Sequence, residues 1–422
     1  MTYPENEIAQ LFKTEYSNLV AVLCRFYGIE NIQLAQDIVS DTFLKAMKTW
    51  CHNGIPDKPK AWLRRVAINQ LKDHFRRDNV FREKVQPEYY HSIDKDLNVP
   101  FSEELINDSQ LRMLFVICHS ELKKEEHICL SLRLLCGFSV IEIAKALLTS
   151  KDAINKKMYR AKQKLRNHRA SFRELKKSEY SYRIDSVLRI LYLLFNEGYY
   201  SNNIEKDIQS DLCREALRLS LFLSQQSFLP RSKIYALISL MSFQASRLEA
   251  RKSKDGQFIL FEQQDKSLWN KDLIKKGEEY LSLSAKGSTV SKYHLEAAIA
   301  YWHTTDKSKK WQNILQLYNR LLTIEYSPII AMNRTYALAK ANSVDEALTE
   351  AQKLNLSENH FYYCLIAELY RMKGNMKKEL DLLKLALQYA EKENERTLIQ
   401  TKIESQQKPP SYTVLGAGSS KT

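Results

Sequence analysis

The stretch from Cys129 to His168, CLSLRLLCGFSVIEIAKALLTSKDAINKKMYRAKQKLRNH, has the pattern of a helix, a short helix, a tight turn and a long helix. Ser139 followed by Glu142 forms a capping box, which predicts that the short helix begins there. Apolar residues of the long helix recur at steps of four, three and four and predict one buried stripe: Ile154, Met158, Ala161 and Leu165. The stretch therefore predicts a helix-turn-helix, in which the second helix can enter the major groove of DNA.

The outward side of that long helix carries amide, hydroxyl and cationic groups, which suit base edges and phosphates. Its residues are Asp152, Lys156, Tyr159, Arg160 and Gln163, flanked by Asn155 and Arg166. Between Lys151 and Arg169 the one acidic residue is Asp152, so this surface is strongly basic. A helical hairpin without a DNA-binding role is the alternative interpretation of the same pattern.

A second basic helix is predicted by the stretch from Lys60 to Arg77, KAWLRRVAINQLKDHFRR. Four apolar residues at four-residue steps form one face that faces a core: Leu63, Ala67, Leu71 and Phe75. The opposite side holds Arg65, Asn69, Lys72 and Arg76, with Trp62 near its start. Only Asp73 and Asp78 oppose the cations, whereas paired surface helices mix both signs. The face predicts a polyanionic partner, and a solvated surface helix is the alternative.

The composition favours the same kind of partner and a helical fold. The chain has 64 Lys and Arg against 50 Asp and Glu, a net charge of +14 over 422 residues. Such an excess favours a nucleic acid or another anionic surface without proving one. Gly and Pro number only ten and nine, and strand-like alternation is rare. We therefore predict an all-α fold.

The cysteines and the N-terminal sequence indicate in which cellular compartment the protein is expected. There are seven cysteines, with no C-x-x-C motif and no nearby histidine pair, which predicts reduced, mostly buried thiols in the cytosol and no structural metal. The start, MTYPENEIAQLFK, lacks the pattern of a signal peptide. The longest apolar run, VLRILYLLF, is about half a membrane span and contains Arg189. We expect a cytoplasmic protein with no membrane contact.

Hydrophobic periodicity divides the chain into helical blocks separated by polar stretches. The stretch between the first two blocks contains Pro87 and Pro100 and little apolar content, which predicts a flexible linker. The predicted parts are a first helical block at 5–78, the linker at 79–110, a second helical block at 111–175, paired amphipathic helices at 178–406 and a disordered tail at 407–422.

The two basic helical blocks together resemble the extracytoplasmic-function (ECF) class of bacterial RNA polymerase σ factors, in the σ70 family. The resemblance is carried by LAQDIVSDTFLKAMKTW (Leu34 to Trp50), PKAWLRRVAINQLKDHFRR and IEIAKALLTSKDAINKKMYRAKQKLR. It implies that the first block is σ domain 2 and the second block is σ domain 4. It also implies two partners, core RNA polymerase through its β′ clamp helices and β subunit, and promoter DNA in duplex and single-stranded form.

The resemblance assigns roles to particular residues. The residues that match the segment docking on the β′ clamp helices are Leu34, Asp37, Val39, Asp41, Phe43 and Leu44. An ordinary surface pair is the alternative role for Asp37 and Asp41. By the same resemblance, Asn69 binds a base flipped out of the minus-10 element, while Arg65, Lys72 and Arg76 hold the DNA backbone. Trp62 either stacks on DNA or packs against the preceding helix. The residues that match the minus-35 contacts are Asn155, Lys156, Tyr159 and Arg160.

The remainder of the chain resembles the subgroup of such σ factors with a C-terminal helical extension of tetratricopeptide (TPR) type. The segments concerned are YLLFNEGYYSNN (Tyr192 to Asn203), DGQFILFEQQDKSLWN (Asp255 to Asn270) and YHLEAAIAYWH (Tyr293 to His303). Residues with spacings close to a TPR unit are Tyr363, Ala367, Tyr370, Gly374 and Ala386. We predict a TPR-like array of helix pairs. Two of its segments, NEGYY (196–200) and the stretch from Asp255 to Trp269, are either packed corners of this domain or a surface facing the σ domains or a ligand.

We therefore predict a promoter-recognition subunit of RNA polymerase, regulated by its fused C-terminal domain. No catalytic activity and no cofactor are expected, because the sequence has no metal-spaced His/Asp set, P-loop or nucleophile motif. One alternative is a polymerase-independent helix-turn-helix regulator with a repeat-type sensor domain. Another is a helical scaffold whose basic face is merely solvated.

Overall fold

The computed structural model describes residues 4–77, 102–118, 122–147, 149–167, 177–200, 206–251, 259, 261–391 and 393–407. Within these residues all regular structure is helical, as eighteen α-helices and four short 3-10 helices. The predicted all-α fold is confirmed. The chain divides into two compact units, Met1–Ile234 and Tyr235–Thr422. None of the described helices has the length and apolar character needed to cross a membrane.

The first unit contains both predicted basic helices. Its α-helices are α1 (Pro4–Tyr27), α2 (Ile32–Asn53), α3 (Pro59–Arg77), α4 (Glu103–Ile117), α5 (Lys124–Leu134), α6 (Val140–Ala146), α7 (Lys151–Asn167), α8 (Lys177–Tyr200) and α9 (Lys206–Ser224). A 3-10 helix, Ile29–Asn31, joins α1 to α2. The next helix, α10 (Arg231–Ala245), contains the boundary between the two units.

The predicted apolar face of the first basic helix is confirmed. Leu63, Ala67 and Leu71 of α3 are buried, while the side chain of Phe75 lies outside the described residues. Buried Glu15 of α1 contacts the start of α3. Its carboxylate lies 3.1 Å from Nζ of Lys60. Thr42 of α2 also donates a hydrogen bond of 3.0 Å to the side chain of Gln70. These contacts fix which side of α3 faces outward.

The predicted linker ends earlier than expected. Ser102 accepts a hydrogen bond of 3.1 Å from the N–H of Leu105, and α4 begins at Glu103. The assignment of residues 103–110 to the linker is therefore wrong, because a capping serine followed by acidic residues starts a helix there. Residues 78–101 lie outside the described part of the chain.

The two helical blocks pack against each other in the first unit. Arg25 of α1 forms an ion pair with Asp108 of α4, and Gln110 of α4 donates a hydrogen bond to Asn18 of α1. The guanidinium of Arg133 on α5 lies 4.3 Å from the ring centroid of Tyr16. The blocks thus form one core although the sequence between them is polar.

Helices α8 and α9 belong to the first unit, whereas the sequence analysis assigns them to the predicted domain at 178–406. The ring of Tyr180 on α8 lies 4.7 Å from that of Phe115 on α4. Arg218 of α9 donates a hydrogen bond of 3.2 Å to the carbonyl of Leu135. The apolar run VLRILYLLF supplies the fully buried Val187, Leu188, Leu191 and Leu194. These helices are part of the core around the second block.

The second unit is a succession of packed helices, as the predicted array of helix pairs requires. They are α11 (Lys271–Ser284), α12 (Lys292–Thr304), α13 (Lys310–Ile324), α14 (Pro328–Ala341), α15 (Val344–Lys353), α16 (His360–Met372), α17 (Met376–Tyr389) and α18 (Glu393–Gln407). Ser327 caps α14 by accepting a hydrogen bond from Ile330, and Gly374 has φ +75° where α16 gives way to α17. The predicted tail lies outside the described residues from 408 on.

The cysteines agree with the prediction of reduced, mostly buried thiols. All seven are free, and the buried ones are Cys24, Cys118, Cys129, Cys136 and Cys213. Burial raises the pKa of the Cys129 thiol to about 11. Cys51 on α2 is exposed. It is therefore the thiol best placed to react with a reagent from solution.

Candidate nucleic-acid interface

The outward face of α3 presents the polar residues predicted to meet single-stranded DNA. Arg65 and Asn69 are exposed, and Lys72 is half-buried beside them. Arg64 is engaged inside the unit, with Nη2 3.3 Å from the Glu15 carboxylate. The side chain of Arg76 lies outside the described residues. The structure thus separates Arg64, which joins α3 to α1, from the outward residues.

Trp62 packs against the preceding helix. Its ring lies 5.2 Å from the ring of buried Trp50 on α2, at an interplanar angle of 62°. This edge-to-face geometry is favourable for aromatic pairs. The packing alternative is confirmed for Trp62, which is half-buried and keeps part of its surface on the outside. Its stacking on DNA stays a prediction.

The predicted helix-turn-helix is present as α6 and α7. In the capping box, Ser139 Oγ accepts a hydrogen bond of 3.1 Å from the N–H of Glu142, and the N–H of Ser139 donates one of 2.7 Å to the Glu142 carboxylate. Ser150 Oγ accepts a hydrogen bond of 3.2 Å from the N–H of Ala153 at the start of α7. Local capping therefore sets where both helices begin.

The two sides of α7 differ as its sequence predicts. The buried stripe is Ile154, Met158, Ala161 and Leu165, none of them more than 5% exposed. The residues predicted to contact the minus-35 element, Asn155, Lys156, Tyr159 and Arg160, are all exposed. Tyr159 is 65% exposed although it is large and aromatic. A continuous polar, basic surface therefore covers the outward side of α7.

An ion pair between half-buried Lys164 and buried Glu126 joins α7 to α5. Nζ of Lys164 lies 2.7 Å from the carboxylate of Glu126. Burial by itself raises the pKa of Glu126, but hydrogen bonds from Lys164 and from the backbone of Lys123, together with their charges, outweigh it and lower that pKa. The pair fixes the rotation of α7 about its axis. It thereby keeps Lys156 and Arg160 on the outside.

Fewer of the predicted polymerase-binding residues of α2 face outward than the sequence indicates. Val39 and Phe43 are 0% and 3% exposed, so the prediction that they contact a partner is corrected: their side chains form the core under the face. The outward stripe, at steps of three, four and three, is Leu34, Asp37, Asp41 and Leu44. Leu44 is 53% exposed, and Met47, three residues further on, is 42% exposed.

Met47 was missed by the sequence analysis, although its spacing from Leu44 continues the same stripe. Exposed apolar side chains beside two carboxylates make a mixed surface, which suits an apolar and basic partner helix.

The helix-turn-helix also contacts the first block directly. Nζ of Lys162 on α7 donates hydrogen bonds to the side chains of Gln33 and Gln36 on α2. Arg166 donates one of 3.4 Å to the carbonyl of Glu30. Burial, with the nearby charge of Arg133, lowers the pKa of Lys162 to about 8. The sequence analysis missed this contact, which joins residues far apart in the chain.

Comparison with known proteins bears directly on these two faces. Residues 11–80 match the family model for σ70 region 2, and residues 113–165 match the model for σ70 region 4. The ECF RNA polymerase sigma factor BldN of Streptomyces coelicolor is 27% identical over 139 residues, which are 32% of this chain and 51% of BldN. The chain belongs to the ECF class of the σ70 family. In this σ factor, α3 lies in region 2 and α7 lies in region 4.

The C-terminal part of this σ factor has relatives of its own. Residues 183–285 match a family of unknown function, DUF6596. An uncharacterized protein of Rhizobium meliloti (strain 1021), R00370, is 30% identical over 371 residues, which are 86% of this chain and 85% of that protein. The similarity thus extends well beyond the two σ domains. No solved structure shows a significant match.

Proposed function

We propose that this σ factor directs core RNA polymerase to specific promoters, melts their minus-10 region and reads their minus-35 element. One observation carries the proposal. The basic, polar sides of α3 and α7 are exposed, while the apolar stripes opposite them are buried in a chain that matches σ70 regions 2 and 4. Because polymerase and promoters are in the cytoplasm, we propose that location for the protein. No enzymatic step is part of this role.

We propose that the outward stripe of α2 binds the clamp helices of the β′ subunit. Leu34 and Leu44 supply apolar contacts, and Asp37 and Asp41 supply charge for a basic partner. Met47 extends the apolar part. Charge pairs at such a rim accelerate association and select the partner. The β subunit is the proposed partner of σ domain 4.

We propose that α3 holds the unpaired strand of the minus-10 element. The amide of Asn69 offers both a donor and an acceptor to the edge of a flipped base. Arg65, Lys72 and Arg76 neutralise phosphates, which contributes affinity without sequence preference. Trp62, supported by Trp50, offers the remaining part of its ring to the DNA.

We propose that α7 enters the major groove at the minus-35 element. Asn155, Lys156, Tyr159 and Arg160 lie on its outward, N-terminal half, which is the part that reaches base edges in a helix-turn-helix. Amide and cationic groups at those positions recognise purine edges and phosphates. The bases that these four residues select can be measured directly.

We propose that the C-terminal part takes part in regulation or is required for activity. The packing of α8 on α4 and of α9 on Leu135 makes the start of that part continuous with σ domain 4. We propose that these packed side chains pass a change in α8 or α9 on to σ domain 4.

The decisive experiment is reconstitution with core RNA polymerase followed by run-off transcription on genomic fragments. The proposal predicts co-elution with core enzyme and discrete products from a small set of fragments. Tight duplex binding by the isolated protein, without association with core enzyme, supports a polymerase-independent regulator instead. Absence of both, with no steep salt dependence of nucleic-acid association, leaves only the scaffold interpretation.

A further inference from the structure

The segment from Phe261 to Trp269 and helix α12 meet in the second unit at a cluster of aromatic rings. The ring of Phe261 lies 5.0 Å from that of His303 and 5.9 Å from that of Trp269. The ring of His303 lies 5.8 Å from that of Trp311 on α13. Phe261 is therefore at the centre of a group drawn from three separate parts of the chain. The σ functions proposed above do not use this group.

Three polar atoms in this cluster are buried and have no hydrogen-bond partner among the described residues. They are Nε1 of Trp269, Oε1 of Gln264 and Nδ1 of His303. Trp269 as a whole is only 6% exposed. Gln264 is held in position, because its Nε2 donates a hydrogen bond of 3.2 Å to the carbonyl of Ile259. Buried polar atoms in folded proteins are nearly always paired, so three around one ring call for an explanation.

The charge around the same cluster is positive. The guanidinium of Arg247 lies 4.9 Å from the centroid of Phe261. Burial, with the charges of Arg247 and Lys310, lowers the pKa of His303 to about 3, so its ring is neutral near pH 7. The nearby carboxylate of Glu262 is engaged by the hydroxyl of Tyr336, at 2.7 Å. Two cations thus lie near these three atoms, and the carboxylate of Glu262 is paired with Tyr336.

We propose that this cluster is a binding site for a small organic anion that carries a flat ring, such as an aromatic carboxylate. The anionic group is recognised by Arg247 and Lys310, and the ring lies against Phe261 and Trp311. Trp269 donates a hydrogen bond to the carboxylate, and Gln264 can accept one from a ligand that also carries a hydroxyl or N–H group. Such a combination of aromatic walls with a few placed polar groups is typical of small-molecule sites. The inference does not depend on the proposed σ function, because it concerns binding alone.

The test uses the full-length protein with ¹⁵N-labelled tryptophan side chains, whose five indole N–H signals are assigned by single Trp→Phe replacements. The probe is 1-naphthoate. Its matched controls are 1-naphthamide, which has the ring without the charge, and acetate, which has the charge without the ring. We expect 1-naphthoate at millimolar concentration to shift the signals of Trp269 and Trp311 in a saturable manner. The two controls should bind at least about tenfold more weakly.

Variants locate the site. Arg247→Met and Lys310→Met should each weaken 1-naphthoate binding about tenfold or more. Lys286→Met, which removes an exposed cation elsewhere in the same unit, should leave binding unchanged. If 1-naphthoate shifts neither signal, or if Arg247→Met and Lys310→Met both bind it as the natural protein does, the proposal is wrong. Equal binding of naphthoate and naphthamide also overturns it, because the anion would then have no part.

Discussion

Nζ of Lys162, on the helix α7 proposed to read the minus-35 element, donates a hydrogen bond of 2.7 Å to Oε1 of Gln33, in the first turn of α2. The next residue, Leu34, begins the stripe proposed to bind polymerase, and Gln33 itself donates to Asp37 in that stripe. The C-terminal half of α7 thus lies beside one end of the face proposed to bind polymerase. Polymerase and α7 are therefore expected to compete for this end of α2.

Lys162→Glu should release α7 from α2, because it places a carboxylate beside Asp37 and removes the donor to Gln33. The measurement is the distance between spin labels on Cys51 and on a cysteine introduced at Lys151, both exposed, in a Cys364→Ser background. We expect longer and broader distances. Lys156→Glu, an equal change of charge on the outward side of the same helix, should leave them as they are. Identical distributions in both variants contradict the proposed role of Lys162.

The contact between Lys162 of α7 and Gln33 of α2 should strengthen as the pH rises from about 8 to about 10.5. Burial, with Arg133, holds the pKa of Lys162 at about 8, whereas an exposed lysine titrates near 10.5. The packed form therefore binds fewer protons than the released form across this range, so raising the pH favours packing; below about pH 8 both forms are protonated and the dependence vanishes. The label distances at about pH 7.5 and about pH 9.5 test this. Lys162→Met should abolish the pH dependence of the label distances. If the distances still change with pH in that variant, another titrating group is responsible.

Asn69→Ala should reduce promoter opening and relax preference at one base, with a loss of about 1–3 kcal/mol of discrimination. The reason is that a single amide supplies the paired donor and acceptor for the flipped base. Permanganate reactivity of unpaired thymines, measured with core enzyme on promoters changed at each minus-10 position, reports this. Polymerase binding, followed by co-elution, should be unaffected.

Lys72→Ala provides the contrast on the same helix. Loss of a phosphate contact should weaken binding to all promoters alike and reduce the slope of the salt dependence by about one. If Lys72→Ala and Asn69→Ala change base preference in the same way, Asn69 has no special role in reading a base.

Glu15→Gln should lower the free energy of unfolding by about 1.5–3 kcal/mol, because a buried hydrogen-bonded charge is lost beneath α3. Glu15 is 1% exposed and its carboxylate lies 3.1 Å from Lys60 and 3.3 Å from Arg64. Urea unfolding followed by tryptophan fluorescence measures the change through Trp50 and Trp62 in this unit. Glu104→Gln, at an exposed position, should change stability by less than about 0.5 kcal/mol. Equal effects of the two changes would show that the Glu15 contacts contribute no net stability.

The features that the sequence predicted correctly depend on residues that are close together in one helix. The buried stripe of α7 and its capping box are local features, because periodicity and capping involve residues within a few positions of each other. The contact of Lys162 with Gln33 pairs residues from two separate blocks, and no local pattern reports it. Val39 and Phe43 were misassigned because a family match marks a segment, while the rotation of α2 decides which of its residues face outward.

The position of α8 leads to a prediction about truncation. A chain ending at residue 176 loses Tyr180 and exposes the ring of Phe115, which is fully buried in the intact protein. A chain ending at residue 230 retains α8 and α9 and so keeps that ring covered. The shorter chain should lose about 3 kcal/mol or more of stability relative to the longer one and should self-associate.

Urea unfolding and light scattering of the two chains provide the comparison. If both chains are equally stable and monomeric, α8 and α9 contribute nothing to the core of σ domain 4. If only the longer chain is stable, a regulatory role of the extension is tested by deleting residues 231–422, because any loss of transcription on deleting from residue 177 would then report unfolding.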